Sequence, residues 1–205
     1  MDEQPQGHRW FAAFYDVLSR GSERGAFGRL RRDLLAGLQG DVVEIGAGTG
    51  SNFAYYPEAA RVVAIEPDPH MAKRAEKKLA GLARDTIALR LGPAEQLPLP
   101  DSACDFAVST LVLCTVGDVP RSLAELRRVL RPGGELRFIE HVRGGPRLAR
   151  VQRVMQPAWG WFGGGCRLDR DTESAIRDAG FEITDIRRMK LAPWMPAIIG
   201  KARPA

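Results

Sequence analysis

Residues 42–50 read Val-Val-Glu-Ile-Gly-Ala-Gly-Thr-Gly, and the apolar run Arg61–Ile65 ends on Glu66, twenty residues after Gly46. Apolar runs without polar alternation are strands covered on both faces. A strand that stops at alternate glycines turns sharply and leaves backbone bare for a ligand to approach. Two such strands joined by a crossover are parallel, and ligands in parallel sheets bind beyond the carboxyl ends of the strands. A carboxylate at the tip of the second strand can accept both hydroxyls of a ribose. Together these features describe an adenosine site. A dinucleotide site wants glycines at the first, third and sixth positions of the loop. Here they fall at the first, third and fifth, and Ser51 holds the sixth, which weakens a pyrophosphate reading. No Lys-Ser/Thr follows, so the loop is not a P-loop. An ordinary glycine-rich turn is the remaining reading, and Glu66 at that spacing makes it the minority one.

The rest of the chain repeats the alternation. Residues 10–19 and 23–38 read as amphipathic helices, and 41–45 as the first strand. A helical turn at 52–57, a strand at 61–65, a helix at 69–83 and strands at 86–91 and 104–109 follow. Residues 119–130 form a strongly periodic helix stopped by Pro132-Gly133-Gly134. A strand at 135–142, helices at 146–160 and 172–179, and strands at 181–189 and 191–202 complete the pattern. The expected fold is α/β, a doubly wound Rossmann-like sheet, in one domain of 205 residues. Residues 1–38 precede a core of residues 39–205.

Composition excludes several classes. Hydrophobic residues at 44% suffice for a core, and no run approaches the roughly 18 apolar residues of a spanning helix. The polar, acidic start is not a secretory signal. Three cysteines argue against a disulfide scaffold and for a reducing compartment, hence a cytoplasmic protein. The net charge of +5 is spread along the chain and not interleaved with aromatics, so nucleic acid is not an expected partner. The arginines of residues 20–33 read as solvated helix faces. Attraction to an acidic membrane surface, with the apolar face of helix 10–19 resting on it, is the sharper alternative and would make the contact peripheral. No His/Cys/Asp set has metal-ligand spacing, so no metal is expected. Nothing in the sequence sets an oligomeric state.

At this point the residues resemble a known family. VVEIGAGTG (42–50) and AIEPDP (64–69), followed in order by GPAEQLPLPD (92–101), DFAVSTLVLCTV (105–116) and RRVLRPGGELRFIEHV (127–142), are similar to the class I S-adenosylmethionine-dependent methyltransferases. PAW (157–159), GGCRLDR (164–170) and APWMPAIIGKA (192–202) further resemble the subgroup containing the alkyl thiol methyltransferases of animals. Quinone and phosphatidylethanolamine methyltransferases are a broader relation. The resemblance implies seven strands with the last antiparallel, N-terminal lid helices and S-adenosylmethionine as cofactor. It places Gly46, Ala47, Gly48 and Gly50 against the methionine part of the cofactor, supported by Glu44 and Asn52. It gives Glu66 the ribose, with Pro67, Ala94 and Glu95 around the adenine. Thr110 and Leu111 would face the methyl group, and Tyr15 would belong to a lid helix.

The expected acceptor is a small, largely apolar molecule, a thiol first in line. Phe11, Cys114, His141, Trp159 and Trp161 are the candidate pocket residues. His141 follows the fifth strand at the mouth, and reads equally well as a general base and as a hydrogen-bonded structural histidine. Cys114 and Cys166 read as small hydrophobes, since methyl transfer by direct displacement needs no enzyme nucleophile. Trp159, Trp161 and Trp194 suit either a core or a pocket wall. C-, O- or N-methylation of a quinone, natural product or phospholipid headgroup is the second reading, and dinucleotide-dependent oxidation the third.

Overall fold

The computed structural model describes residues 25–162 and 165–205, without the side chains of residues 26, 158, 161 and 162. The helix expected at 10–19, with Phe11 and Tyr15, lies outside the described residues, as does the side chain of Trp161. The elements in chain order are α1 (Ala26–Leu35), β1 (Gly40–Ile45), a 3-10 turn (Phe53–Tyr55), β2 (Ala60–Glu66) and α2 (Pro69–Leu82). β3 (Ile87–Leu91), β4 (Cys104–Thr110), α3 (Val119–Val129) and β5 (Leu130–His141) follow. The chain closes with α4 (Pro146–Phe162), α5 (Thr172–Asp178), β6 (Phe181–Ala192) and β7 (Met195–Pro204).

Seven strands form one sheet in the order β3-β2-β1-β4-β5-β7-β6. β1 through β5 are parallel, and β7 runs antiparallel to both β5 and β6. The doubly wound class and the antiparallel last strand expected from the sequence are both present. The connection reverses direction at β1, which pairs β2 on one side and β4 on the other. Alternation along β1 then divides the core. Val43 and Ile45 face α3 and α5 in a cluster with Leu123, Leu126, Phe138 and Ile176. Val42 joins Leu34 and Leu35 of α1, and Leu38 just beyond it, on the other side, with Phe53 and Tyr56. Glu44 shares Val42's parity and therefore lies on the α1 side.

Caps and turns set the boundaries. Asp68 and Asp118 accept the backbone N–H groups of His70 and Arg121 at 2.7 and 2.9 Å, capping α2 and α3 ahead of Pro69 and Pro120. β5 begins earlier than expected. The chain enters the sheet at Leu130, beside Cys104, and Pro132-Gly133-Gly134 is absorbed as a register shift before Glu135 pairs Phe106. Gly133, at φ 81°, makes that bulge possible. The last two strands meet in a turn at residues 193–194, which puts Trp194 at 41% exposure, in neither core nor pocket. Among the described residues no helix is long and apolar enough to cross a membrane.

α1 is locked where the site needs it. The guanidinium of Arg137, on β5, donates to the carbonyls of Leu34 and Ala36 at 2.8 and 2.7 Å. Those are orphan acceptors at the helix C-terminus, where a cation is favoured. Glu135 neutralises Arg137 at 2.9 Å.

Candidate active site

The carboxyl ends of β1, β2 and β4 converge on one cleft, lined by Arg31, Glu44, the glycine loop and Thr110. Gly46 and Gly48 both sit at φ 59°. A Cβ on Gly46 would lie 2.5 Å from Val112, so the loop after β4 rests directly on its backbone. A Cβ on Gly48 would meet nothing within 4 Å, because that side of the loop faces the open cleft. One glycine serves packing and the other ligand approach.

Beneath the loop lies a buried polar network. Asn52 donates to Glu44 at 2.7 Å and to the Thr110 hydroxyl at 3.1 Å, and accepts from Arg31 at 2.7 Å. Tyr56 donates to the second oxygen of Glu44 at 2.9 Å. Glu44 and Asn52 are thus bonded to each other beneath the loop. Arg31 corrects the expectation of a solvated arginine face. It is 4% exposed, because it lies on the helix stripe of Leu34 and Leu35 and follows them inward. The ring of Phe27 covers its guanidinium, 4.6 Å from the centroid. Its spacing of three and four residues from Leu34 and Leu35 was the signal that could have revealed it.

Burial raises the Glu44 carboxyl to about 7, against the lowering pull of Asn52, Tyr56 and Arg31. Its folded value lies above its unfolded one, so the folded protein holds a proton that the unfolded chain releases. Stability from this group is complete below pH 4.5 and is lost as pH rises through about 7. The neutral variant Glu44→Gln is expected to outlast the wild type increasingly between pH 5 and 8, by up to about 3 kcal/mol. Urea unfolding across that range checks this; parallel curves for the two proteins would refute it.

Glu66 occupies the tip of β2, 6% exposed. Its two oxygens accept the backbone N–H groups of Gly48 and Asp68 at 2.7 and 2.9 Å. Burial raises its pKa while those two bonds oppose the rise. Each carboxylate oxygen keeps a lone pair for a further donor. Pro67 is exposed beside it, and Ala94 is buried in the core. Glu95 is engaged elsewhere: its carboxylate accepts the Asp118 N–H at 3.1 Å, at the start of α3.

The cradle fits the methionine and ribose ends of S-adenosylmethionine. Gly48 opens the cleft side of the loop, and Arg31 Nε and the hydroxyls of Thr49 and Ser51 are buried there without hydrogen-bond partners among the described residues. These are donors suited to a carboxylate.

Beyond β4 the chain turns through Leu111 at φ 59°, a left-handed conformation that a leucine adopts only under constraint. The constraint is Glu140, whose one oxygen accepts from the Ser109 hydroxyl at 2.6 Å and the Val112 N–H at 3.1 Å. Sequence reasoning gave Glu140 no role. Burial holds its carboxyl up, at about 7.

At the same end, three residues from separate elements meet. Cys114 follows β4, His141 ends β5, and Cys166 follows α4. The two sulfurs lie 3.5 Å apart, and Arg167 N–H donates to the Cys114 carbonyl at 2.8 Å, stitching the two segments. The hydrogen bond with Cys114, then His141 and Trp159, draw the Cys166 thiol below its ordinary pKa, against burial. Both ring nitrogens of His141 and the Trp159 N–H are buried without a hydrogen bond of good geometry.

The methyltransferase-domain family matches residues 43–138 of the chain. Thiol S-methyltransferase TMT1B of Homo sapiens is 39% identical over 182 residues, 82% of this chain and 73% of that protein. Phosphatidylethanolamine N-methyltransferase of Cereibacter sphaeroides is 30% identical over 118 residues, 57% of this chain and 58% of that protein. Among solved structures, geranyl diphosphate methyltransferase in complex with S-adenosylmethionine superposes with a TM-score of 0.73 at 15% identity, over 98% of this chain and 93% of that one, a likeness of fold. The parallel sheet that reverses at β1, the glycine cradle, the acid at the tip of β2 and a relative matched over most of the chain converge: the protein belongs to the class I S-adenosylmethionine-dependent methyltransferases.

Proposed function

We propose that the protein methylates the sulfur of a small, largely apolar thiol. The observation that carries this reading is the 39% identity to a thiol S-methyltransferase across 82% of the chain. When bound, S-adenosylmethionine supplies a methyl group on a positively charged sulfur. Glu66 holds its ribose, and the Gly46–Gly50 loop, backed by Asn52 and Glu44, receives its methionine part. Arg31, Thr49 and Ser51 offer donors to its carboxylate. Leu111 and Thr110 set the wall against which the acceptor lies.

The acceptor end supports a thiol. The segment after β4, Leu111–Cys114, is apolar apart from its thiol, and one oxygen of Glu140 beneath it is taken by the Ser109 hydroxyl and the Val112 N–H. A thiol ionises near 8.5, so a few per cent is already thiolate at pH 7. Positioning is then the larger task, and is worth roughly 7–11 kcal/mol in well-aligned reactions.

A labelled-methyl assay over alkyl thiols, amines, quinones and phosphatidylethanolamine vesicles tests the proposal. Label is expected in the thioether product of an alkyl thiol, with far less in the others. Label confined to an amine, a quinone or the phospholipid would overturn it. The likeness to phosphatidylethanolamine N-methyltransferase, over 57% of the chain, is the observation behind the second reading.

A further inference from the structure

We propose that Cys114, His141 and Cys166 form a binding site for a thiophilic divalent cation of the zinc class, at the acceptor end of the cleft. The ligand atoms of the three residues lie within 4.8 Å of one another, and the two sulfurs are 3.5 Å apart. Tetrahedral zinc with bonds of about 2.3 Å to sulfur and 2.0–2.1 Å to nitrogen separates its ligands by roughly 3.5–3.8 Å. The sulfur pair already matches, and the widest pair needs about 1 Å of closure.

Burial carries the argument further. His141 is 1% exposed and Cys114 is 2% exposed, so neither competes with water for its ligands. Neither nitrogen of this buried imidazole has a hydrogen bond of good geometry among the described residues, and a metal bond would satisfy one of them. Two thiolates neutralise a divalent ion, so the filled site adds no net charge to the interior. The buried, unpartnered Trp159 N–H lies close enough to Cys166 to act on its thiol, the place of an outer-shell donor that orients a ligand. The backbone is braced on both sides: Gln156 binds the carbonyl of Cys166 at 3.1 Å, and Arg170 binds the carbonyl of Leu113 at 2.6 Å.

Three protein ligands leave a fourth position, the arrangement of sites that take up a further ligand. One consequence rests on the thiol reading above. An acceptor thiol that fills the fourth position gives up its proton to solvent, because metal coordination ionises a thiol outright. The site would then ionise the acceptor without a protein base, and His141 would act as a ligand.

Cobalt and zinc chlorides are the probes, with the full chain purified under reducing conditions. Wild-type protein is expected to retain about one zinc per chain after desalting. Its cobalt form is expected to show thiolate-to-cobalt charge-transfer absorption in the near ultraviolet. Cys114→Ser, Cys166→Ser and His141→Ala are each expected to weaken zinc binding at least about 100-fold in chelator competition, beyond the 10–100-fold typical of outer-shell changes. Zinc is also expected to protect Cys166 of the wild type from alkylation, a readout that needs no variant. Absence of the charge-transfer band, zinc retention unchanged in Cys114→Ser/Cys166→Ser, or a Cys114–Cys166 disulfide in the reduced preparation would overturn the proposal. A small alkyl thiol added to the cobalt form is expected to shift the band. An unshifted band would overturn the acceptor consequence, separately from the methyl assay that tests the thiol reading.

Discussion

Glu66→Ala is expected to weaken binding of both S-adenosylmethionine and its demethylated product about 100-fold, read by calorimetry. The carboxylate sits at the tip of β2 with both oxygens already turned toward the cleft rim by Gly48 and Asp68. Hydrogen bonds to a charged group contribute about 1.5–3 kcal/mol each. Losing two of them costs at least about 3 kcal/mol, or roughly two decades of affinity. The same change frees the Gly48 N–H, while the Ala47 N–H still donates to the Ile65 carbonyl of β2 at 3.0 Å. Because Glu66 lies at the cleft, the freed N–H groups can turn to water, and the fold is expected to survive. Unchanged affinity would refute the ribose assignment, whatever the acceptor.

Asn52→Ala is expected to cost about 3–5 kcal/mol of stability, lowering the melting temperature by about 10 °C, and to abolish measurable cofactor binding. Asn52 is 1% exposed and bonds Arg31, Glu44 and Thr110 together. Without it a buried guanidinium loses its acceptor and a buried carboxylate loses a donor. Removing one partner of a buried charged group is the expensive case, since the other stays desolvated. Asn52→Asp restores the acceptor for Arg31 but sets a second carboxylate against Glu44, so it is expected to recover only part of the loss. Urea unfolding decides: a loss under about 1 kcal/mol would mean that the loop stands without this network.

The architecture was legible along the chain because it rests on local signals. Apolar runs ending in glycine, the periodic run at 119–130 and an acid twenty residues after Gly46 all act within a single crossover unit. They placed β1, β2, α2 and α3 within a residue or two of their observed ends. Boundaries slipped where tertiary contacts overrode local chemistry, as where sheet pairing drew Leu130 into β5 ahead of Pro132-Gly133-Gly134. The cleft beyond β1 and β2 was legible for the same reason, since Gly46, Gly48 and Glu66 lie within one crossover unit; Asn52 came from the family resemblance alone.

The cluster beyond β4 and β5 was legible only in part: Cys114, His141 and Trp159 were candidates, but their meeting with Cys166 was not foreseen. Cys114, His141 and Cys166 stand 27 and 25 residues apart on segments with no shared periodicity, and no spacing rule links them. They meet because β4 and β5 are neighbours in the sheet while the segment after α4 folds back, its Arg167 N–H bonded to the Cys114 carbonyl. Arg31 and Glu140 were hidden in the same way: a charge reads as solvated until packing supplies a buried partner. Local pattern carries the fold and the nucleoside cradle, because both depend on short-range backbone geometry. The Cys114–His141–Cys166 cluster depends on side chains that only the assembled sheet brings near one another.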